Sequence, residues 1–375
     1  MMKFAIFSSL NNDRIFKAID CPATAEEFTE AMGEIYKLGL CSPAEYIRYR
    51  ALSDDNIYYR RCAKGAVEDC LRRNFEREAE YLSRLAGKAP EDYQKKVEFG
   101  DIPFFPLPDF DLYGEIALHA ENITTRGWGI YSQHTVFELD ENCRIVPVTN
   151  PDDISLGDLI DYQRERNIVL DNTVALLEGK PAANILLTGD AGTGKSSTVK
   201  AVVNALAERG LRILQVSKDQ LHYLKKLFSI LADNPLKFIV FIDDLSFRHD
   251  DDNSRALKAV LEGSVSAKSK NVVIYATSNR RHIVRESLKE REGDEVHRND
   301  AMQETLSLSE RFGIRISFYR PDKQTYLNIV KGLAEASGVD IPEEELFAGA
   351  ERFALERGLR SPRAARQYID GLLAK

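Results

Sequence analysis

The sequence has no run approaching the eighteen apolar residues that a membrane span requires, and its apolar start, Phe4-Ala-Ile-Phe7, is too short for the core of a signal peptide. The expected setting is therefore the cytoplasm, with no membrane partner. Cysteine is scarce: Cys21, Cys41, Cys62, Cys70 and Cys143 are odd in number, form no C-x-x-C pair and avoid the later part of the chain, which argues against a disulfide framework, a redox pair or a metal cluster. An excess of positive charge is missing too. The net charge of −8 denies the molecule the basic field of a general nucleic-acid binder and leaves only a local patch, Arg280-Arg281-His282-Ile-Val-Arg285, as a candidate. There is one tryptophan, Trp128.

What is there is 375 residues with 43% apolar content, enough to bury a large core in two or three structural units. Residues 1–98 are expected to form a helical N-terminal domain. Apolar residues recur at helical spacing, as in Phe28-x-x-x-Met32-x-x-Ile35-Tyr36, and Thr24 and Ser42-Pro43 read as helix starts. No repeat of fixed length marks this part. Tyr46, Tyr49, Tyr58 and Tyr59 could offer a stacking surface for bases, but their helical spacing is that of core residues. Residues 99–150 read as an extended connector, because Pro103, Pro106 and Pro108 remove donors and fix φ, followed by a small antiparallel hairpin. The alternating stretches Gly127–Tyr131, Thr135–Leu139 and Arg144–Val148 supply that hairpin, with Trp128 packing it onto a neighbour.

The chemistry lies farther on. Asn184-Ile-Leu-Leu-Thr188 is a short apolar strand running into Gly189-Asp190-Ala191-Gly192-Thr193-Gly194-Lys195-Ser196-Ser197 and then a helix. Three glycines let the backbone curl so that successive N–H groups converge, and the positive end of the helix faces the same point. Such a cradle takes a phosphate chain: Lys195 reaches the β- and γ-phosphates and the Ser196 hydroxyl ligates Mg²⁺. The strand Lys237-Phe-Ile-Val-Phe-Ile242 ends in Asp243 and Asp244, 48 residues after Lys195, where Asp243 is expected to hold the metal and Asp244 to orient or deprotonate water. Another apolar strand, 271–278, ends at Asn279, an amide able to bond the γ-phosphate or the attacking water. The βαβα order predicts a parallel sheet. Leu159-Ile-Asp-Tyr162 either covers an adenine or packs in the core, and His249-Asp-Asp-Asp-Asn253 reads as an exposed acidic loop ending in a helix cap.

These motifs resemble an AAA+ ATPase module from about residue 150 to the C-terminus, with Walker A (Gly189 to Ser196), Walker B (Asp243, Asp244), sensor 1 (Asn279) and an arginine-finger motif (Ser309-Glu-Arg311-Phe). Asp243-Asp-Leu-Ser-Phe247 and Tyr275-Ala-Thr-Ser-Asn-Arg-Arg-His282 more narrowly resemble a bacterial family known as predicted ATP-binding proteins of unknown function, over most of residues 125–375. The resemblance implies an α/β fold of P-loop NTPase (AAA+) type: a parallel five-stranded sheet core over 151–320 with a C-terminal helical lid over 321–375. It also implies ATP and Mg²⁺ as cofactors, and a homo-oligomer in which Arg311 acts on the neighbouring subunit's nucleotide unless it serves an intrachain salt bridge. A sensor-2 arginine is implied at the start of the last helix, Arg363 first and Arg360 second.

Two departures from the pattern bear on function. Asp244 stands where Glu is usual, which shortens its reach, and the stretch around Leu221-His-Tyr-Leu224 lacks the aromatic-apolar-Gly loop of polypeptide-threading machines. The expected activity is ATP hydrolysis to ADP and phosphate, coupled to remodelling or loading of an unknown protein partner. The alternatives are an ATP-dependent assembly switch or scaffold with little hydrolysis, and a helicase-loader-like ATPase that uses Arg280, Arg281 and Arg285 on nucleic acid.

Overall fold

The computed structural model describes residues 2–97, 100–245, 252–261, 270–279 and 310–374. The chain divides into two compact units, Met1–His134 and Thr135–Lys375. The expected segment 99–150 is therefore split: its first part belongs to the first unit and its hairpin to the second.

In the first unit the helix starts fall where the caps predict. Asp13, Thr24, Ser42 and Asn56 each accept an N–H from three residues ahead, opening helices Arg14–Asp20, Ala25–Lys37, Pro43–Leu52 and Ile57–Cys62. The longest helix, Asp69–Ala86, carries Glu78 into the interior, where its carboxylate accepts the N–H groups of Ala5, Ile6 and Phe7 and ties the start of the chain down. Phe7, Phe16, Phe28, Tyr59 and Tyr93 fill the core. Tyr46, Tyr58 and Tyr59 are buried, which is the packing role their spacing suggested. Two expectations fail: the connector stretch holds a helix, Leu112–Glu121, and Gly127–Tyr131 is no strand. Gly127 and Gly129 take φ of 70° and 61°, and residues Ile130–Gln133 close a helical turn. Trp128 is buried in the first unit's own core, with the Arg60 guanidinium over its ring.

The second unit is built on one sheet of β1 (Val136–Leu139), β2 (Ile145–Pro147), β3 (Ile185–Gly189), β4 (Leu211–Gln215), β5 (Lys237–Ile242), β6 (Val272–Ser278) and β7 (Ile314–Phe318). The order is β2-β1-β4-β5-β6-β3-β7. All pairs are parallel except β1 with β2, which form the expected hairpin. The sheet therefore has seven strands rather than five, because β1 lays its free edge along β4, Val136 opposite Ile213, and so satisfies backbone groups that an isolated hairpin would leave open.

The five strands β4-β5-β6-β3-β7 keep the order of an AAA+ P-loop NTPase core. β6 lies between β3 and β5, so the residues ending β6 sit between the phosphate loop after β3 and the acids after β5. β6 is buried along its whole length and β5 nearly so, which is why both read as continuous apolar runs. Beyond the sheet, helices Lys323–Ala336, Glu343–Arg357 and Pro362–Leu373 pack around Tyr326, Val330, Ala350 and Ile369 as the expected helical lid. Asp322 and Ser361 cap the first and third of these helices. No helix among the described residues is long and apolar enough to cross a membrane.

Candidate functional site: a phosphate loop between sheet and lid

The loop after β3 depends on backbone that only glycine supplies easily. Gly189, Gly192 and Gly194 take φ of 139°, 77° and 93°. A Cβ on Gly189 would stand 2.0 Å from the carbonyl oxygen of Phe318 on β7. Thr193 closes the loop from within, its hydroxyl donating to the Asp190 carbonyl at 2.9 Å. The helix that follows, Lys195–Leu206, has Gly194 as its N-cap and no side-chain cap. Its first N–H groups are left for whatever anion enters the cavity in front of them.

The side chains around that loop form one connected set. Lys195 is buried and its ammonium donates to the carbonyls of Gly189 (3.0 Å) and Asp190 (2.8 Å) and to Oδ1 of Asn279 (3.0 Å). Desolvation pushes its pKa down, against the pull of Asp243, Asp190 and Asp244. The amide of Asn279 turns its other end to Asp244, donating to Oδ1 at 2.8 Å. Asp243 accepts the Ser196 hydroxyl at 2.7 Å and the Thr277 hydroxyl at 2.5 Å. Lys195, Ser196, Asp243, Asp244 and Asn279, all singled out in the sequence, are thus brought together.

The cavity in front of this set has a volume of about 540 Å³, within the range of small-ligand sites. Ala191, Gly192 and Ser197 of the loop and Ile329, Leu333 and Arg363 of the lid line it. Leu159–Tyr162 also line it, so this stretch faces the cavity, and Ile160 meets the lid at Gly332, where a Cβ would stand 2.7 Å from its Cδ1. Arg363 donates its backbone N–H to Gly192. Arg360 does not line the cavity: its guanidinium makes two 3.1 Å bonds to the Glu351 carboxylate within the lid. The second sensor-2 candidate is therefore engaged in holding two lid segments together.

Arg311 is also absent from the cavity lining. Ile314 pairs with Ile185 and Phe318 with Gly189, so the segment entering β7 starts four residues, roughly 13 Å, from the phosphate-loop end of the sheet. Arg280, Arg281, Arg285, Ser309 and the acidic run His249 to Asp251 lie outside the described residues.

Some side chains at the site carried no motif. Arg320, just after β7, pairs with Asp190 at 3.4 Å. Arg166 holds the Leu156 and Leu159 carbonyls and so shapes the loop along the cavity wall. Arg366 lines the cavity one helical turn beyond Arg363. Thr277 stands in the apolar strand and within the phrase Tyr275–His282, and the sequence gives it no role of its own.

The donor set suits Mg²⁺ with a polyphosphate. Ser196 and Asp243 offer hard oxygen ligands beside an open helix N-terminus, and Mg²⁺ is commonly held by one or two carboxylates together with substrate phosphates. The family model for proteins of unknown function named DUF815 matches residues 132–375, the whole of the second unit and the last three residues of the first. The chain is a DUF815 protein. No curated protein matches it. Among solved structures, this DUF815 chain is similar to the RuvB Holliday junction branch migration motor of Thermotoga maritima at 17% identity, covering 58% of this chain and 63% of that one, with a TM-score of 0.39. It thus spans under two thirds of that RuvB chain. It is also similar to the AAA domain of FIGL-1 in complex with ADP, at 20% identity, 59% and 72% coverage and a TM-score of 0.39. A katanin structure described for its self-assembly is similar at 19% identity, 60% and 73% coverage and a TM-score of 0.38. The AAA+ nucleotide-binding fold of this DUF815 protein rests on its strand order and phosphate loop, not on these overlaps.

Proposed function

We propose that this DUF815 protein binds ATP with Mg²⁺ and hydrolyses it to ADP and phosphate, using the turnover to remodel or load a macromolecular partner. The observation that carries the reading is the set Lys195–Asn279–Asp244 and Ser196–Asp243–Thr277 standing in one cavity at an uncapped helix N-terminus. The loop N–H groups and Lys195 bind the phosphates and neutralise charge as the bond to the leaving oxygen lengthens. Ser196 and Asp243 would hold Mg²⁺, which supplies further charge neutralisation on the phosphate oxygens when bound. Asp244 orients a water for in-line attack on the γ-phosphorus and takes its proton, and Asn279 fixes Asp244 and faces the same phosphate. Arg363 and the loop Leu159–Tyr162 close on the remainder of the nucleotide.

The distance of the segment carrying Arg311 from the phosphate loop of its own chain supports a trans role, completing the site of a second copy in a homo-oligomer. ATP turnover per chain is then expected to rise with protein concentration as oligomers form. Arg311→Ala lowers it by about 10³-fold or more while leaving ATP affinity unchanged. Turnover independent of concentration and indifferent to Arg311 would sink the trans reading.

One observation favours a second reading, an ATP-dependent assembly switch with little hydrolysis. The carboxylate of Asp244 is one methylene shorter than the usual Glu and is already bonded to Asn279. Nucleotide-driven assembly without turnover at any concentration would select it. Helicase-loader activity depends on Arg280, Arg281 and Arg285, and steeply salt-dependent binding of single-stranded DNA is its test.

A further inference from the structure

Asp243 and Asp244 follow one another at the end of β5, where the alternation of a strand would send their side chains to opposite faces of the sheet. Both nevertheless line the same cavity. The break in alternation is at Asp244, whose φ of 53° is left-handed, a conformation that residues other than Gly adopt only when something holds them there.

What holds it is a residue of the neighbouring strand. Thr277 on β6 is 2% exposed, and its hydroxyl oxygen accepts the backbone N–H of Asp244 at 3.0 Å. Its hydroxyl proton goes to Oδ1 of Asp243 at 2.5 Å. Its carbonyl accepts the next N–H, that of Leu245, at 2.7 Å. A hydroxyl has one proton to give, so the chain has one direction: Asp244 N–H to Thr277 Oγ1–H to Asp243 carboxylate. Ser196 and Asn279 each touch one of the two acids, whereas Thr277 joins the carboxylate of one to the backbone of the other.

We infer that Thr277 is the positioning residue of the acidic pair, setting the Asp243 carboxylate for the metal and turning the Asp244 backbone so that a short acid faces the phosphates. The inference rests on the roles proposed for the two acids. It also accounts for the shorter side chain at 244: the left-handed turn redirects the carboxylate toward the cavity, so the group that fixes the turn sets its aim. Valine at 277 has the same shape as threonine but can neither accept from Asp244 nor donate to Asp243. Serine retains both bonds and loses a methyl.

The test has two arms on the full-length protein. In the first, amide hydrogen exchange of residues 242–245 is followed without nucleotide. Thr277→Val is expected to speed exchange there about tenfold or more, and Thr277→Ser to stay near wild type. In the second, ADP is titrated with and without Mg²⁺. Thr277→Val is expected to lose about tenfold of the Mg²⁺-dependent gain in affinity, while its Mg²⁺-free affinity stays within about threefold of wild type. Thr277→Ser restores the gain. Exchange at 242–245 that is unchanged in Thr277→Val, or a serine variant as defective as the valine one, overturns the inference. Equal loss of ADP affinity with and without Mg²⁺ marks a merely structural role and overturns it too. The exchange arm needs no nucleotide, so it decides the role of Thr277 whether or not the wild type turns over ATP.

Discussion

The backbone N–H of Arg363 donates to the carbonyl oxygen of Gly192 at 3.2 Å, joining the first turn of the last lid helix to the crown of the phosphate loop. The contact is close: a Cβ on Gly192 would stand 3.0 Å from Cβ of Arg363 and 3.4 Å from the Ser361 hydroxyl. The lid thus reaches the loop through backbone, and the side chains of Arg363 and Arg366 extend along the cavity wall from that anchor.

Arg363→Ala retains that backbone bond and removes only the guanidinium. It is expected to weaken ATP binding by about 10- to 100-fold, the loss of one hydrogen bond to a charged group, with no change in the unfolding midpoint. Arg360→Ala is expected to do the reverse. Its two bonds to Glu351 lie inside the lid and are partly exposed, so the substitution lowers the unfolding midpoint only slightly and leaves affinity intact. Calorimetric titration with ATP together with urea unfolding of both variants separates the two arginines. A larger loss of affinity in Arg360→Ala would reverse their assignment.

The strands that carry the site were legible because each is a near-continuous apolar run ending in a chemically distinctive residue: Gly189, Asp243 or Asn279. What those residues do to one another was less so. The bonds of Thr277 to both acids exist because β6 is inserted between β3 and β5, a non-local fact that no spacing along the chain encodes. The left-handed turn at Asp244 is likewise imposed from the neighbouring strand rather than by local propensity. Gly127–Tyr131 misled in the opposite way. Its alternation imitates a strand, but its two glycines at positive φ end any extended run, and Trp128 finds its partners in the helical core. Arg360 and Arg363 stand three residues apart around one helix start, and only their place there ranks Arg363 first. Glu351 on the preceding helix engages Arg360, whereas Arg363 lines the cavity.

Gly189 is the residue at the loop on which folding depends most. A methyl at this position would stand 2.0 Å from the Phe318 carbonyl oxygen, on backbone that cannot swing away without parting β3 from β7, and φ of 139° adds strain. Gly189→Ala is expected to cost about 3 kcal/mol or more, from overpacking and backbone strain together. Gly194→Ala is the control, since its Cβ meets nothing within 4 Å, and only its φ of 93° resists the substitution. It should cost about 1–2 kcal/mol. Urea unfolding of both proteins checks the order, and equal losses would show that the approach to Phe318 is relieved by movement of β7.

The first unit should have its own response to acid, through His119. The ring is 3% exposed, its Nε2 donates to the Gly127 carbonyl at 3.0 Å, and burial pushes its pKa down from 6.5 to about 4. The folded unit therefore keeps the ring neutral where the unfolded chain would protonate it. The unfolded state binds the extra proton between pH 6.5 and about 4, so the contribution is present in full above 6.5 and is lost as pH falls through that window. The loss by pH 5 should be about 2 kcal/mol relative to pH 7.5. Trp128, the sole tryptophan, lies in the same core, so its fluorescence reports unfolding of this unit. Urea midpoints followed by that signal should fall from pH 7.5 to pH 5 in the wild type. His119→Gln, which retains an N–H donor for Gly127 and cannot protonate, should flatten the slope over the same range. A variant with an undiminished slope would place the titrating group elsewhere in the unit.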